Sequence, residues 1–156
     1  MVVETTTLTP RDGIVERYWA EMYGLPGSDS TAVEDLQRRG RVALSLSSIG
    51  SIMAARLHWP IQIVPAATFA SFPKSGPPMP RERSAAGWFW DGFYRMFPNA
   101  MGDVVFSAVG YDKHRTRAVL MVNHGCGPMC GQGYVVILRR DRTGWHIVTL
   151  VITDQS

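Results

Sequence analysis

The chain has 156 residues, 46% hydrophobic and 19% charged, a balance that excludes disorder as the default state. One domain spanning residues 1–156 is expected, long enough to bury a core. The formal net charge of +3 is scattered over short groups of arginine and lysine, and no basic block argues for nucleic acid as a partner.

The opening MVVETTTLTP has no basic n-region and no apolar h-region. The sequence as it stands therefore reads as cytoplasmic, and as exported if a signal has been trimmed. The uncharged stretch Val42–Ala55 is short for a span of about 20 residues and carries Ser45, Ser47, Ser48 and Ser51, so no membrane span is expected.

Thr9, Pro10 and Asp12 form a helix start, Ile14, Val15, Tyr18, Trp19 and Met22 follow on one stripe, and Gly24 and Pro26 stop it. A second helix is predicted from Ser30 and Thr31, with Glu34 three residues after Thr31, to a stop at Gly40. Val42, Leu44 and Leu46 alternate like a strand, but Ile49, Ile52, Met53 and Leu57 have helical spacing and favour a helix over 47–57. Pro60–Pro65 reads as a short extended piece. Pro73, Pro77, Pro78 and Pro80 make residues 73–84 a surface loop of polyproline character.

Helix resumes near Ser84 and ends before Pro98. Phe89, Phe93, Met96 and Phe97 fall on one face, with Trp90 and Tyr94 on its flanks. Trp88 falls on the opposite side beside Asp91 and Arg95, either as a ligand surface or as a ring covered by the proline loop. From Asp103 the pattern turns to strands: DVVFSAVGY, a turn at DKHRT, RAVLMVNH, a glycine loop, YVVILRR, a short turn over Asp141–Gly144, and WHIVTLVI. Ala118, Leu120 and Val122 on one face and Val119 and Met121 on the other are all apolar, so something must cover both faces. The expected class is α+β, with N-terminal helices packed on a C-terminal four-stranded antiparallel meander.

The C-terminal part resembles a family of uncharacterised bacterial proteins. The resemblance rests on Phe97-Pro98, Ser107-Ala108-Val109-Gly110-Tyr111, Thr116-Arg117-Ala118, Cys126-Gly127 with Cys130-Gly131, and Trp145. It covers about the last 70 residues, departs at Tyr111 where the pattern has Phe, and implies a fold without an activity. The order of helices before sheet is also similar to the cone-shaped folds of the nuclear-transport-factor-2 type, by layout alone.

Both cysteines lie in NHGCGPMCGQG, residues 123–133. Cys-Gly-Pro-Met-Cys looks like a thioredoxin-type motif with one residue inserted, but that chemistry needs a helix start to stabilise the first thiolate, and Gly131, Gln132, Gly133 and a strand follow instead. Zinc asks for about four ligands in a structural site; His124, Cys126 and Cys130 give three, and His58, His114 and His146 offer no evident fourth. No metal or cofactor is therefore assigned. The pair is read as a disulfide, or two small thiols, that pins a long glycine loop. In that loop Gly125, Gly127, Gly131 and Gly133 either turn backbone amides toward a ligand or permit positive φ values, and His124 stands at its mouth.

No Gly-x-Ser-x-Gly, phosphate loop or dinucleotide fingerprint is present. Two functions of different class remain. One is a binding or interaction module that presents the cysteine-pinned loop to a protein or small molecule. The other is a small enzyme or carrier with an apolar pocket between helices and sheet, acting on a small hydrophobic molecule.

Overall fold

A computed structural model describes residues 2–4, 27–39, 62–72 and 85–155. In chain order the elements are β1 (Val2–Glu4), α1 (Gly27–Arg39), β2 (Gln62–Val64), α2 (Ala66–Ala70), α3 (Ala85–Met96), β3 (Asp103–Phe106), β4 (Gly110–Tyr111), β5 (Arg117–Gly127), β6 (Cys130–Asp141) and β7 (Gly144–Gln155). The class is α+β. The strands form a seven-stranded sheet in the order β2-β1-β3-β5-β6-β7, with β4 paired to β5 beyond β3.

The antiparallel part falls where the sequence puts it: β3 on β5, β5 on β6 and β6 on β7. Two expectations change. The sheet is mixed, because β1 lies parallel to both β2 and β3. The helices are also not gathered ahead of the sheet, since α2 and α3 stand between β2 and β3. Strands of three residues are too short to show an alternation, which is why β1 left no trace in the pattern. The helices expected over 10–23 and 47–57, and the proline loop at 73–84, lie outside the described residues.

Helix α1 begins at Gly27, before the expected Ser30–Thr31 start, and ends at Arg39 beside Gly40 as expected. Arg38 and Arg39 in its last turn suit the negative end of the helix dipole. Its Ala32, Val33 and Leu36 pack on Ala108, Val119, Val135 and Ile137, which is the first core. One segment, DVVFSAVGY, breaks into β3 and β4 at Ser107. The buried Ser107 hydroxyl accepts the Met121 N–H at 2.8 Å and donates to the Ala108 carbonyl at 2.7 Å, so it replaces ladder bonds where the strand bends.

The second core is aromatic. Val64, Phe72, Phe93 and Phe97 are buried, with Phe69, Phe89, Trp90, Tyr94 and Ala100 packed around them. Met96, expected on this face, is half exposed. Helix α3 ends at Met96, and Phe97, whose amide still bonds the Phe93 carbonyl at 2.8 Å, turns in and takes the buried place.

Asp35 ties α1 to the sheet. Its buried carboxylate accepts the Tyr111 N–H at 2.9 Å, pairs with Arg39 at 2.6 Å and also pairs with Arg38. Burial opposes its charge, but the Tyr111 amide and the two guanidiniums outweigh burial and hold the carboxyl at about 2. A folded value below the unfolded one means the stabilisation is complete above about pH 4 and is lost as pH falls toward 2. Asp35→Asn is expected to lower stability by about 1–2 kcal/mol at pH 7, after allowing for the exposed arginine ends, and by far less at pH 2. Urea melts of both proteins across pH 2–7 check this; equal losses at both ends of the range would refute it.

Candidate functional site

The stretch expected as a long glycine loop is almost entirely paired strand. Asn123, His124 and Gly125 oppose Gly133, Gln132 and Gly131, and Gly127 opposes Cys130, which leaves Pro128 and Met129 as the turn. The register shifts between Gly125 and Gly127, so Cys126 is the extra residue of a bulge. Continued register from the Gly125–Gly131 pair would set Cys126 opposite Cys130; the bulge puts Gly127 in that place and leaves Cys126 next to it. The Cys126 Cα lies 5.0 Å from that of Cys130, and the two form a disulfide. The expected pin is present, and it closes a hairpin tip.

Of these glycines, Gly125 acts through the space it leaves. Among the described residues the glycines with positive φ are Gly102 and Gly144, so Gly125, Gly127, Gly131 and Gly133 are not there for left-handed turns. A Cβ on Gly125 would stand 2.9 Å from the Trp90 ring and 2.6 Å from the Asp103 carboxylate. A Cβ on Gly102 would in turn clash with the Gly125 carbonyl and stand 3.0 Å from His124 Nε2. A Cβ on Gly127 meets nothing nearer than Cys130 Cβ at 3.5 Å, an ordinary contact.

Helix α3 supplies the support beneath. The Tyr94 hydroxyl donates to the Cys126 carbonyl at 2.8 Å, and Trp90 stacks beside Tyr94 with centroids 5.7 Å apart. Burial and the charge of Asp103 push the Tyr94 phenol above its usual value, so it stays a donor at neutral pH. His124 lies 3.4 Å from the Met101 carbonyl. Met101 and Met129 are 83% and 84% exposed at this end of the sheet. Of the expected site residues, His124, Gly125, Gly127, Cys126 and Cys130 share the tip, with Gly131 and Gly133 opposite on β6. Trp88 is half-buried on α3. Trp90 and Tyr94 hold the hairpin, and their place on the flank of the apolar face was the signal for them.

Chemically the tip is a fixed surface of sulfur, glycine backbone and imidazole. At the far end of β6, Asp141, Thr143 and His146 stand within hydrogen-bond reach of each other, at 2.6 to 3.1 Å. They do not make a nucleophile–base relay, because both contacts to His146 use Nε2 and Thr143 also donates to Asp141. The Thr143 hydroxyl and amide hold the exposed Asp141 carboxyl at about 2, as in an ordinary Asx turn. Among the described residues no group of three or more His, Cys, Asp or Glu is arranged to hold a metal ion, and no helix is long and apolar enough to cross a membrane.

Intact mass is expected to rise by two protons on reduction, and the reduced protein to lose about 2 kcal/mol against urea. An unchanged mass would dispose of the disulfide.

No family model matches the chain, and no curated protein or solved structure is significantly similar to it.

Proposed function

We propose that the chain is a binding or interaction module whose contact surface is the disulfide-tied tip around His124, Cys126, Gly127, Met129 and Cys130, and that it belongs with the bacterial proteins sharing its Cys-Gly pair. The observation that carries this reading is a disulfide-tied tip that exposes Met129, with Met101 exposed at the same end of the sheet, both more than four-fifths open. Methionine is adaptable and suits contact with a partner of irregular shape. A disulfide below the turn and Tyr94 and Trp90 beneath the bulge reduce the ordering that binding would otherwise require.

The enzyme or carrier alternative needs an apolar pocket. The groove of about 330 Å³ between α1 and the β4 end is lined by Thr31, Glu34, Asp35, Arg38, Tyr111 and Lys113, a charged set that suits no small hydrophobic substrate. The test is a photo-crosslinking residue placed at Met129 and, as control, at the exposed Thr149, in the native cells. A discrete adduct from position 129 that disappears with Cys126→Ser is expected. The same adducts from both positions, or none from 129, would remove the proposal.

A further inference from the structure

The cations that lie scattered along the chain are gathered in space. Tyr111, whose ring Arg39 and Arg115 overlie at 5.6 and 5.8 Å, packs against Trp145 at 5.8 Å. That brings the end of α1, the 112–116 turn and the 141–144 turn to one end of the sheet. Arg38, Arg39, Lys113, Arg115, Arg139, Arg140 and Arg142 are all exposed there. The carboxylates among them are fewer than the cations: Glu34 shares a groove with Arg38 and Lys113, and the other three are held locally. Asp35 is held by Arg38, Arg39 and the Tyr111 amide; Asp112 accepts the Thr116 and Arg117 amides at 2.7 and 2.9 Å; Asp141 accepts the Thr143 amide at 2.7 Å. The net field at this end is positive.

Next to it runs an exposed apolar stripe. In the β6–β7 ladder Trp145, Ile147, Leu150 and Ile152 oppose Arg140, Leu138, Val136 and Tyr134, which places them on one sheet face. A bulge makes this possible: Ile137 pairs with Thr149 and Leu138 with Ile147, so Val148 is the extra residue that resets the alternation. Val135, Ile137 and Val151 belong to the opposite face, packed in the core under α1. Ile147 is 62% exposed, and Leu150 and Ile152 are each 51% exposed.

We propose that this face, with Trp145, Ile147, Leu150 and Ile152 as the apolar part and Arg140 and Arg142 as the charged rim, docks reversibly on an anionic phospholipid surface. Charge complementarity selects the occupant. Arginines beside aliphatic side chains and a tryptophan match a bilayer interface, where anionic headgroups lie over hydrocarbon. Single-stranded nucleic acid rewards several free aromatic faces, but the Tyr111 ring is already covered by Arg39, Arg115 and Trp145, and apart from Trp145 the exposed groups of the stripe are aliphatic. A second copy of the chain would bring the same positive rim against itself. The charged rim lies at the opposite end of β6 from the disulfide tip, the stripe runs from there as far as Ile152 opposite Tyr134, and the two surfaces share no residue, so they succeed or fail separately.

Flotation of the full chain with vesicles tests the proposal. Binding to phosphatidylcholine mixed with phosphatidylglycerol, little binding to phosphatidylcholine alone, and weakening with added salt are expected. Arg140→Gln and Arg142→Gln should each lower the partition about five-fold. Ile147→Ser with Ile152→Ser should lower it while leaving the salt dependence intact. These positions are exposed, and melts matching the parent protein will show that the variants fold. The proposal is overturned by equal binding to both vesicle types or by none. It is also overturned by tighter retention on an oligothymidine than on vesicles, or by a dimer in light scattering that Ile147→Ser dissociates.

Discussion

Gly110→Ala is expected to cost about 3 kcal/mol, the upper range for an added methyl in a closed interface, and to lower Tm by roughly 6–12 °C. A Cβ at this position would fall within the Ala32 carbonyl and the Leu36 amide and 2.6 Å from the Leu36 Cβ. Those are helix backbone atoms, which cannot turn aside as a side chain can. Helix α1 must therefore lift from β4, which thins the core formed by Ala32, Val33, Leu36 and Val119 and strains the Asp35 bond to the Tyr111 amide. Gly127→Ala is the control, with room at its Cβ, and is expected to stay within about 0.5 kcal/mol of the parent. Urea titration of both decides the matter. Similar midpoints for the two variants would show that α1 does not sit so close to the sheet.

The contrast between these two glycines shows what a sequence can and cannot convey. Gly127 lies in a conspicuous glycine cluster, Gly110 in an ordinary strand, yet the close approach is at Gly110. Composition marks where glycines accumulate, whereas the approach of α1 to β4 is a contact between segments some 75 residues apart. Legible elements were those with a local cause. The aromatic period gave α3, the Gly40 stop gave the end of α1, and Asp141–Gly144 gave its hairpin, where Gly144 takes a φ of 132°. Long-range pairing carried no such mark: β1 joins the sheet through partners near residues 63 and 103.

The same division runs through the sites. Two cysteines across a Gly-Pro turn were legible as a pin, because spacing alone brings such residues near each other. That glycines read as a loop became strands follows from the ladder, in which Gly125 faces Gly131 and Asn123 faces Gly133. Glycine has low strand propensity, so the pattern pointed the other way; packing beneath Trp90, where no side chain fits, decided it. The apolar stripe of β7 was hidden by its bulge. Strict alternation places Ile147 and Leu150 on opposite faces, and only the extra residue Val148 returns them to the same one.

Phe93→Ala should be the most destabilising single truncation, at about 3–5 kcal/mol. Phe93 is 0% exposed, and its ring centroid lies 5.1 Å from those of Trp90 and Tyr94, 5.2 Å from that of Phe97 and 6.1 Å from that of Phe72. Truncation removes the common neighbour of those rings and leaves a cavity that a helix fixed at its own pitch cannot close. Phe93→Leu, which keeps most of the volume, is expected to cost less than about 1.5 kcal/mol. The consequence reaches the disulfide tip, because Trp90 and Tyr94 seat the hairpin and Phe93 seats them. Amide exchange at Cys126 and Gly127 should therefore quicken in Phe93→Ala more than exchange at Ile137, whose core lies under α1. A loss below about 1 kcal/mol, or uniform exchange along β5 and β6, would mean that the aromatic cluster does not support the site.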